Sequence, residues 1–424
     1  MNILIVSIFI LGYIAIAFEH PLKINKSASA LLTGVLCWAV YILLAQDKHL
    51  VSEQLTSSLG ELSGILFFLM GAMTIVELID AHEGFEVITS RITTTDKRKL
   101  LWIICIITFF LSAVLDNLTT TIVMVSLLKK LIDNRNDRLL FIGMVVIAAN
   151  SGGAWSPIGD VTTTMLWIGG QISALNIMFK LILPSLICLF VPLIILSFKL
   201  RGNIAVVVKE NKSGILFNPA ERNIIFYTGL GALIFVPVFK TITHLPPFMG
   251  VLLGLSVLWI VTELLHGNKD EKDKDGLSVV NALRKIDVPS ILFFLGILIA
   301  ISALQSVGIL TNLAQVMNEK IGYLDIIVPA IGMTSAVVDN VPLVAATMGM
   351  YDLTSYPADS YLWEFLAYCA GTGGSILIIG SAAGVAAMGM EKIDFIWYLK
   401  KISWLAILGY FAGVLFYIAF EYFT

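Results

Sequence analysis

The apolar stretches of this chain are too long and too closely spaced for a soluble core, and they constrain its fold before anything else does. About 20 helical residues cross the roughly 30 Å of hydrocarbon in a bilayer. Runs of that order lie near 1–18, 28–46, 60–79, 99–115, 174–198, 222–239, 247–265, 287–304, 322–338 and 402–421. The bulk composition agrees: 58% of the residues are hydrophobic and 13% charged, where a soluble domain has about 25% charged. In lipid a backbone must satisfy its own hydrogen bonds, so the expectation is an all-α polytopic membrane protein. The first run ends in Ala15-Ile16-Ala17, which imitates a signal cleavage site, but it lacks a positive start and reads as a retained first span.

Between the long runs lie shorter, interrupted ones: 119–132, 139–168 broken at Asn150-Ser-Gly-Gly, 341–350, and 361–388 broken at Gly371-Thr-Gly-Gly. Glycine clusters and internal Asp inside hydrophobic stretches are the mark of discontinuous transmembrane helices. The chain also repeats itself. Ser112-Ala-Val-Leu-Asp-Asn117 recurs as Ser335-Ala-Val-Val-Asp-Asn340, and Ser151-Gly-Gly-x5-Gly159 recurs as Thr372-Gly-Gly-x5-Gly380, at nearly the same offset. The halves are 1–204 and 222–424, joined by a polar linker, 205–221.

Charge distribution sets the topology. With 99–132 and 322–350 as re-entrant hairpins and 139–168 and 361–388 as broken but complete crossings, all 27 Lys and Arg except Lys48, Lys180, Lys240 and Lys320 fall on one side, the cytoplasmic one. Each half then holds three spans, a hairpin, a broken helix and a final span. That is an odd number of crossings, so the two repeats are expected to be inverted, as in secondary transporters.

A charged group in the hydrocarbon costs at least about 2.5 kcal/mol and is a functional candidate by default. Asp116, Asp160 and Asp339 fit best. Inverted symmetry brings the tips Asp116-Asn117 and Asp339-Asn340 together near the midplane, where carboxylate and amide oxygens suit a dehydrated Na+ or Li+. The same Asp-Asn pairs also read as helix N-caps. The first broken segment adds Asn150, Asp160, Thr162 and Thr163, while its counterpart has Ser381 in place of Asp160; likewise Thr119–Thr121 face Pro342–Val344 in the alignment. The first repeat is therefore expected to carry more of the ion chemistry. Gly152 and Gly153 read equally as close-packing residues. Glu61, Glu77 and Asp80, at the ends of the third span, either line an ion path or reach water at the membrane boundary.

Other classes are disfavoured. The net charge of -3 leaves no basic face for nucleic acid. The four cysteines sit in apolar runs without metal or disulfide spacing, and the five histidines fall in polar connections, which leaves buried proton chemistry to carboxylates. An intramembrane hydrolase would need a His in a span or a Gly-x-Gly-Asp segment, and neither occurs. An anion site would want a basic group at the tips, and the motifs contain none. A carboxylate held out of water must be neutralised by a proton or a metal cation, so the two compete for the same oxygens. Competition for one site exposed alternately to each side is sufficient for antiport. The rival on the same fold is a Na+- or H+-coupled symporter of a small anion.

Four motifs in order carry a family resemblance. Gly71-Ala-Met-Thr-Ile-Val-Glu77, Ser112-Ala-Val-Leu-Asp-Asn-Leu-Thr-Thr-Thr121, Asn150-Ser-Gly-Gly-Ala-Trp-Ser-Pro-Ile-Gly-Asp-Val-Thr162 and Ser335-Ala-Val-Val-Asp-Asn340 resemble the NhaD-type sodium/proton antiporters of the ion transporter superfamily. Related dicarboxylate/sodium symporters carry Ser-Asn-Thr at the hairpin tips, where this chain has Asp-Asn. The resemblance implies a multi-pass protein of the bacterial inner membrane, a homodimer whose hairpins and broken helices move in elevator fashion against a scaffold. It implies exchange of Na+, and of Li+, for H+ in pH homeostasis, with no cofactor. Position by position it implies that Ser112, Asp116, Asn117, Thr119, Asn150, Asp160, Thr162, Thr163, Ser335, Asp339, Asn340 and Ser375 bind cation or proton. Na+ is expected at Asp116, Asn117, Asp339 and Asn340, with Glu61 and Glu77 on the path.

Overall fold

A computed structural model describes residues 2–17, 19–89, 92, 94–204, 219–267 and 276–423. The linker expected at 205–221 lies outside the described residues up to 218, as do Arg91 and the charged stretch 269–275. The protein is an all-α, multi-pass membrane protein. Nine described helices are long and apolar enough to cross a membrane, among them Lys26–Leu44, Ala174–Lys199, Pro247–His266 and Val288–Ser306. The first apolar run forms Asn2–Ala17. The third extends well beyond its apolar part: Lys48–Ala81 has 34 residues and at 1.5 Å per residue is about 51 Å long, more than the hydrocarbon needs.

The helices pack as two groups. In one, Lys26–Leu44 lies along Val288–Ser306, Pro219–Thr243 along Pro247–His266, and Lys48–Ala81 joins the two pairs. Trp38 Nε1 donates to the Ile299 carbonyl at 2.9 Å across this group. The other group contains the repeated motifs. Lys97–Leu115 turns at Asp116 into Asn117–Leu131, and Leu324–Thr334 leads through 335–339 into Asn340–Met350. Arg135–Ala154 with Val161–Ile168, and Tyr361–Gly373 with Ala382–Glu391, run between them, backed by Ala174–Lys199 and Trp404–Phe423. The groups touch where Asn340–Met350 packs on Val288–Ser306 and Val161–Ile168 on Lys48–Ala81.

Two expectations need correction. The first interruption does not fall on its glycine cluster, because helix runs through Ser151-Gly152-Gly153 to Ala154, whereas the second begins at Gly374, the last glycine of its cluster. These glycines are where backbones meet: a Cβ on Gly152 would lie 2.2 Å from the Phe109 carbonyl oxygen, and one on Gly373 would lie 2.0 Å from that of Gly332. The first interruption comes at Trp155–Asp160, around Pro157, which has no N–H to donate. The histidines differ as well. His82 and His266 lie at the ends of packed helices rather than in polar connections, buried with ring centroids 5.1 Å apart.

Candidate functional site

Four helices begin at the centre of the motif-bearing group, and each begins with a residue whose side chain caps it. Asp116 accepts from Thr119 N at 2.8 Å and Thr119 Oγ1 at 2.9 Å. Asp160 accepts from Thr162 N and Thr162 Oγ1, both at 2.9 Å. Asp339 accepts from Val341 N at 3.5 Å, and Ser381 from Gly384 N at 3.2 Å. An N-terminus leaves backbone N–H groups unpaired and carries partial positive charge, so a capping carboxylate is locally favoured. The Asp-Asn pairs are thus caps, as one reading of the sequence held.

Capping does not account for the asparagines, which converge on Asp160. Asn117 Nδ2 donates to Asp160 Oδ2 at 2.6 Å and to Asn150 Oδ1 at 3.0 Å, using both its hydrogens. Asn340 Nδ2, from the second repeat, lies 3.2 and 3.4 Å from the two Asp160 oxygens. Asn150 Nδ2 in turn donates to Ser375 Oγ and Ser381 Oγ, each at 2.9 Å. The result is one connected polar network among Asn117, Asn150, Asp160, Thr162, Asn340, Ser375 and Ser381. Asp160 is 2% exposed and Asn150 fully buried. Every donor to Asp160 is neutral, and among the described residues no ion pair reaches Asp116, Asp160 or Asp339.

The other candidates stand around this network. Ser112 Oγ donates to the Ala149 carbonyl at 2.6 Å, and Ser335 Oγ to Gly332 and Ala370 carbonyls at 2.7 and 3.2 Å, each tying the turn to the neighbouring broken helix. Thr163 Oγ1 donates to the Asp160 carbonyl at 2.9 Å. Asp116 and Thr119 pair with each other, outside the hydrogen-bonded chain. A void of about 20 Å³ borders both Asp116 and Asp160, room for one particle the size of a water. Asp339 also stands outside the hydrogen-bonded chain, within electrostatic reach of Asp160, Lys26 and Tyr13. Lys26 itself sits 4.6 Å over the Phe293 ring.

Two larger cavities approach from opposite ends. One of about 450 Å³ is lined by Glu77, Asp80, Lys26, Lys285 and Asp287 and reaches Thr119; Lys285 pairs there with Glu77 at 3.6 Å. The other, about 520 Å³, holds Glu61 with Gln171, Gln305, Met165 and Met348. Sequence reasoning left Ser381 out of the site although the repeat aligns it with Asp160. Their backbones agree closely, at φ -144, ψ 156 for Ser381 and φ -147, ψ 148 for Asp160. Thr120 Oγ1 and Thr121 Oγ1, part of the polar asymmetry between the repeats but not of the expected ligand set, are buried beside the first tip with no hydrogen-bond partner among the described residues.

Comparison with known proteins is consistent across the chain. The family described as Citrate transporter matches residues 13–371. Sodium/proton antiporter 1 of Arabidopsis thaliana is 52% identical over 415 residues, covering 97% of this chain and 71% of its own. Sodium/proton antiporter 2 of the same plant is 48% identical, covering 97% and 98%. The Na(+)/H(+) antiporter NhaD of Vibrio cholerae is 29% identical over 439 residues, covering 96% and 89%.

Proposed function

The chain belongs to the citrate transporter family, in the branch of NhaD-type sodium/proton antiporters and so among transporters rather than enzymes, and from that premise we propose that it exchanges Na+ for H+. The observation that carries this reading is Asp160. It is a buried carboxylate surrounded by neutral donors alone, so its charge in the membrane must be met by whatever small cation occupies the site. A proton bonded to one of its oxygens does this, and so does Na+ or Li+ taking oxygen ligands. The void shared by Asp116 and Asp160 supports placing the metal between those two acids, with Asn340 as the link from Asp160 to the second repeat. Na+ arriving from one side displaces the proton there.

Alternating access is supported by the two cavities, one at each end and neither running through. We read the motif-bearing helices as the moving part and the group built on Lys26–Leu44 and Val288–Ser306 as the scaffold. The two halves are read as inverted repeats meeting at 205–221, the assembly as a homodimer and the membrane as the bacterial inner membrane, where such exchange serves pH homeostasis. Glu77 and Glu61 are read as cation-attracting groups in their respective cavities.

Symport of a small anion is disfavoured by the same geometry, because among the described residues Lys26, the base that bears on a tip, is opposed by Asp339, and Lys285 in the same cavity is paired with Glu77. The experiment is Na+-driven dequenching of a pH-gradient dye in everted vesicles, with and without citrate. Proton movement on Na+ or Li+ alone is expected. Citrate-dependent Na+ uptake with no cation-driven proton movement would establish the symporter instead.

A further inference from the structure

We propose that Lys240 is a positioning residue that latches the half-helix carrying Asp160 to the scaffold in the state seen here. The inference rests on the alternating-access reading above. Val161–Ile168 begins at Asp160 and ends beside Lys240, which projects from Pro219–Thr243. Lys240 Nζ donates to the Trp167 carbonyl at 2.8 Å and lies 4.6 Å from the centre of the Trp167 ring. Trp167 is 2% exposed. No carboxylate pairs with Lys240 among the described residues. The ammonium therefore meets only the negative end of a helix and the face of an indole, interactions that together favour a cation in a dehydrated position.

Its position matters more than its strength. Lys240 is one of four basic residues on the sparsely charged side of the chain, so a cation here is not part of the topological signal. It joins one helix of each packing group. The half-helix is only eight residues long, so a restraint at one end also restrains Asp160 at the other. The cavity reaching Thr119 opens on the lysine-rich side, while Asn340–Met350 packs against Val288–Ser306. Movement of the motif-bearing group away from that side carries Trp167 past Lys240 and breaks the contact. The bond belongs to one state, and its loss raises the population of the other.

The test uses full-length protein with Val344→Cys, a buried position on Asn340–Met350 that moves with the motif-bearing group; the four native cysteines are all buried. Right-side-out vesicles are treated with a membrane-impermeant maleimide, and the labelling rate reports the minor, outward-exposed population. Lys240→Met and Lys240→Gln are expected to raise that rate by about tenfold, the effect of losing one charge-assisted hydrogen bond from one state of a two-state equilibrium. Lys240→Arg should restore the parental rate. Equal rates in all four proteins, or an Arg variant that labels as fast as the Met variant, would overturn the latch. Na+-driven proton movement by the parent is measured separately, so a failure of the antiport reading is seen independently of the labelling.

Discussion

Asp160 does not have the environment of a structural carboxylate. A buried carboxylate is costly unless it is paired or protonated, and this one is held by Asn117, Asn340 and Thr162, which orient it without neutralising it. Asp160→Asn retains an acceptor for Thr162 but has no proton to exchange, so Na+-driven proton movement should fall at least about 100-fold while the protein remains folded. Ser381→Ala removes one acceptor of the Asn150 amide. A single buried hydrogen bond is worth about 1 kcal/mol, so the apparent Na+ affinity should weaken by about fivefold with little change at saturating Na+. Unchanged affinity in a Na+ titration would show that Asn150 is held by Ser375 alone. Asp160 was legible in the sequence because a charge inside an apolar run needs a reason. Its centrality was not, since the convergence of two asparagines from different halves is a tertiary fact. Asp116 adds one further unforeseen feature: its φ of 77 with ψ 161 is a conformation that favours glycine, and it persists here where the turn also supplies the Thr119 cap.

At the scale of elements, apolar runs and repeated motifs located most helices, because length and hydropathy decide what lipid will accept. They misplaced the first interruption by several residues, because glycine tells of close approach as readily as of a break. Gly152→Ala forces a methyl group onto the Phe109 carbonyl and should destabilise the protein by about 1–3 kcal/mol, read as a lowered melting temperature in detergent. Gly231→Ala, with nothing within 4 Å of the added carbon, is the matched control and should melt no lower than the parent. If both substitutions behave alike, Gly152 is not a packing site. The length of Lys48–Ala81 was hidden for the opposite reason: its first turns are polar, and hydropathy sees only the apolar part.

For the whole molecule, the proposed exchange needs the two packing groups and the two cavities to give one buried acid access to each side in turn. If H+ and Na+ compete for Asp160, a lower pH fills the site with protons and weakens Na+, so the apparent Na+ constant should fall about tenfold for each unit of rising pH while the proton form dominates, and then level off. A pH-independent constant would separate the two ions into different sites. The most direct measurement is proton release on Na+ binding to the purified protein in weakly buffered detergent, followed with a pH indicator. Wild type should release protons on addition of Na+ but not of choline, and Asp160→Asn should release none. Na+ binding without proton release in wild type, or release undiminished in Asp160→Asn, would contradict a shared site at Asp160.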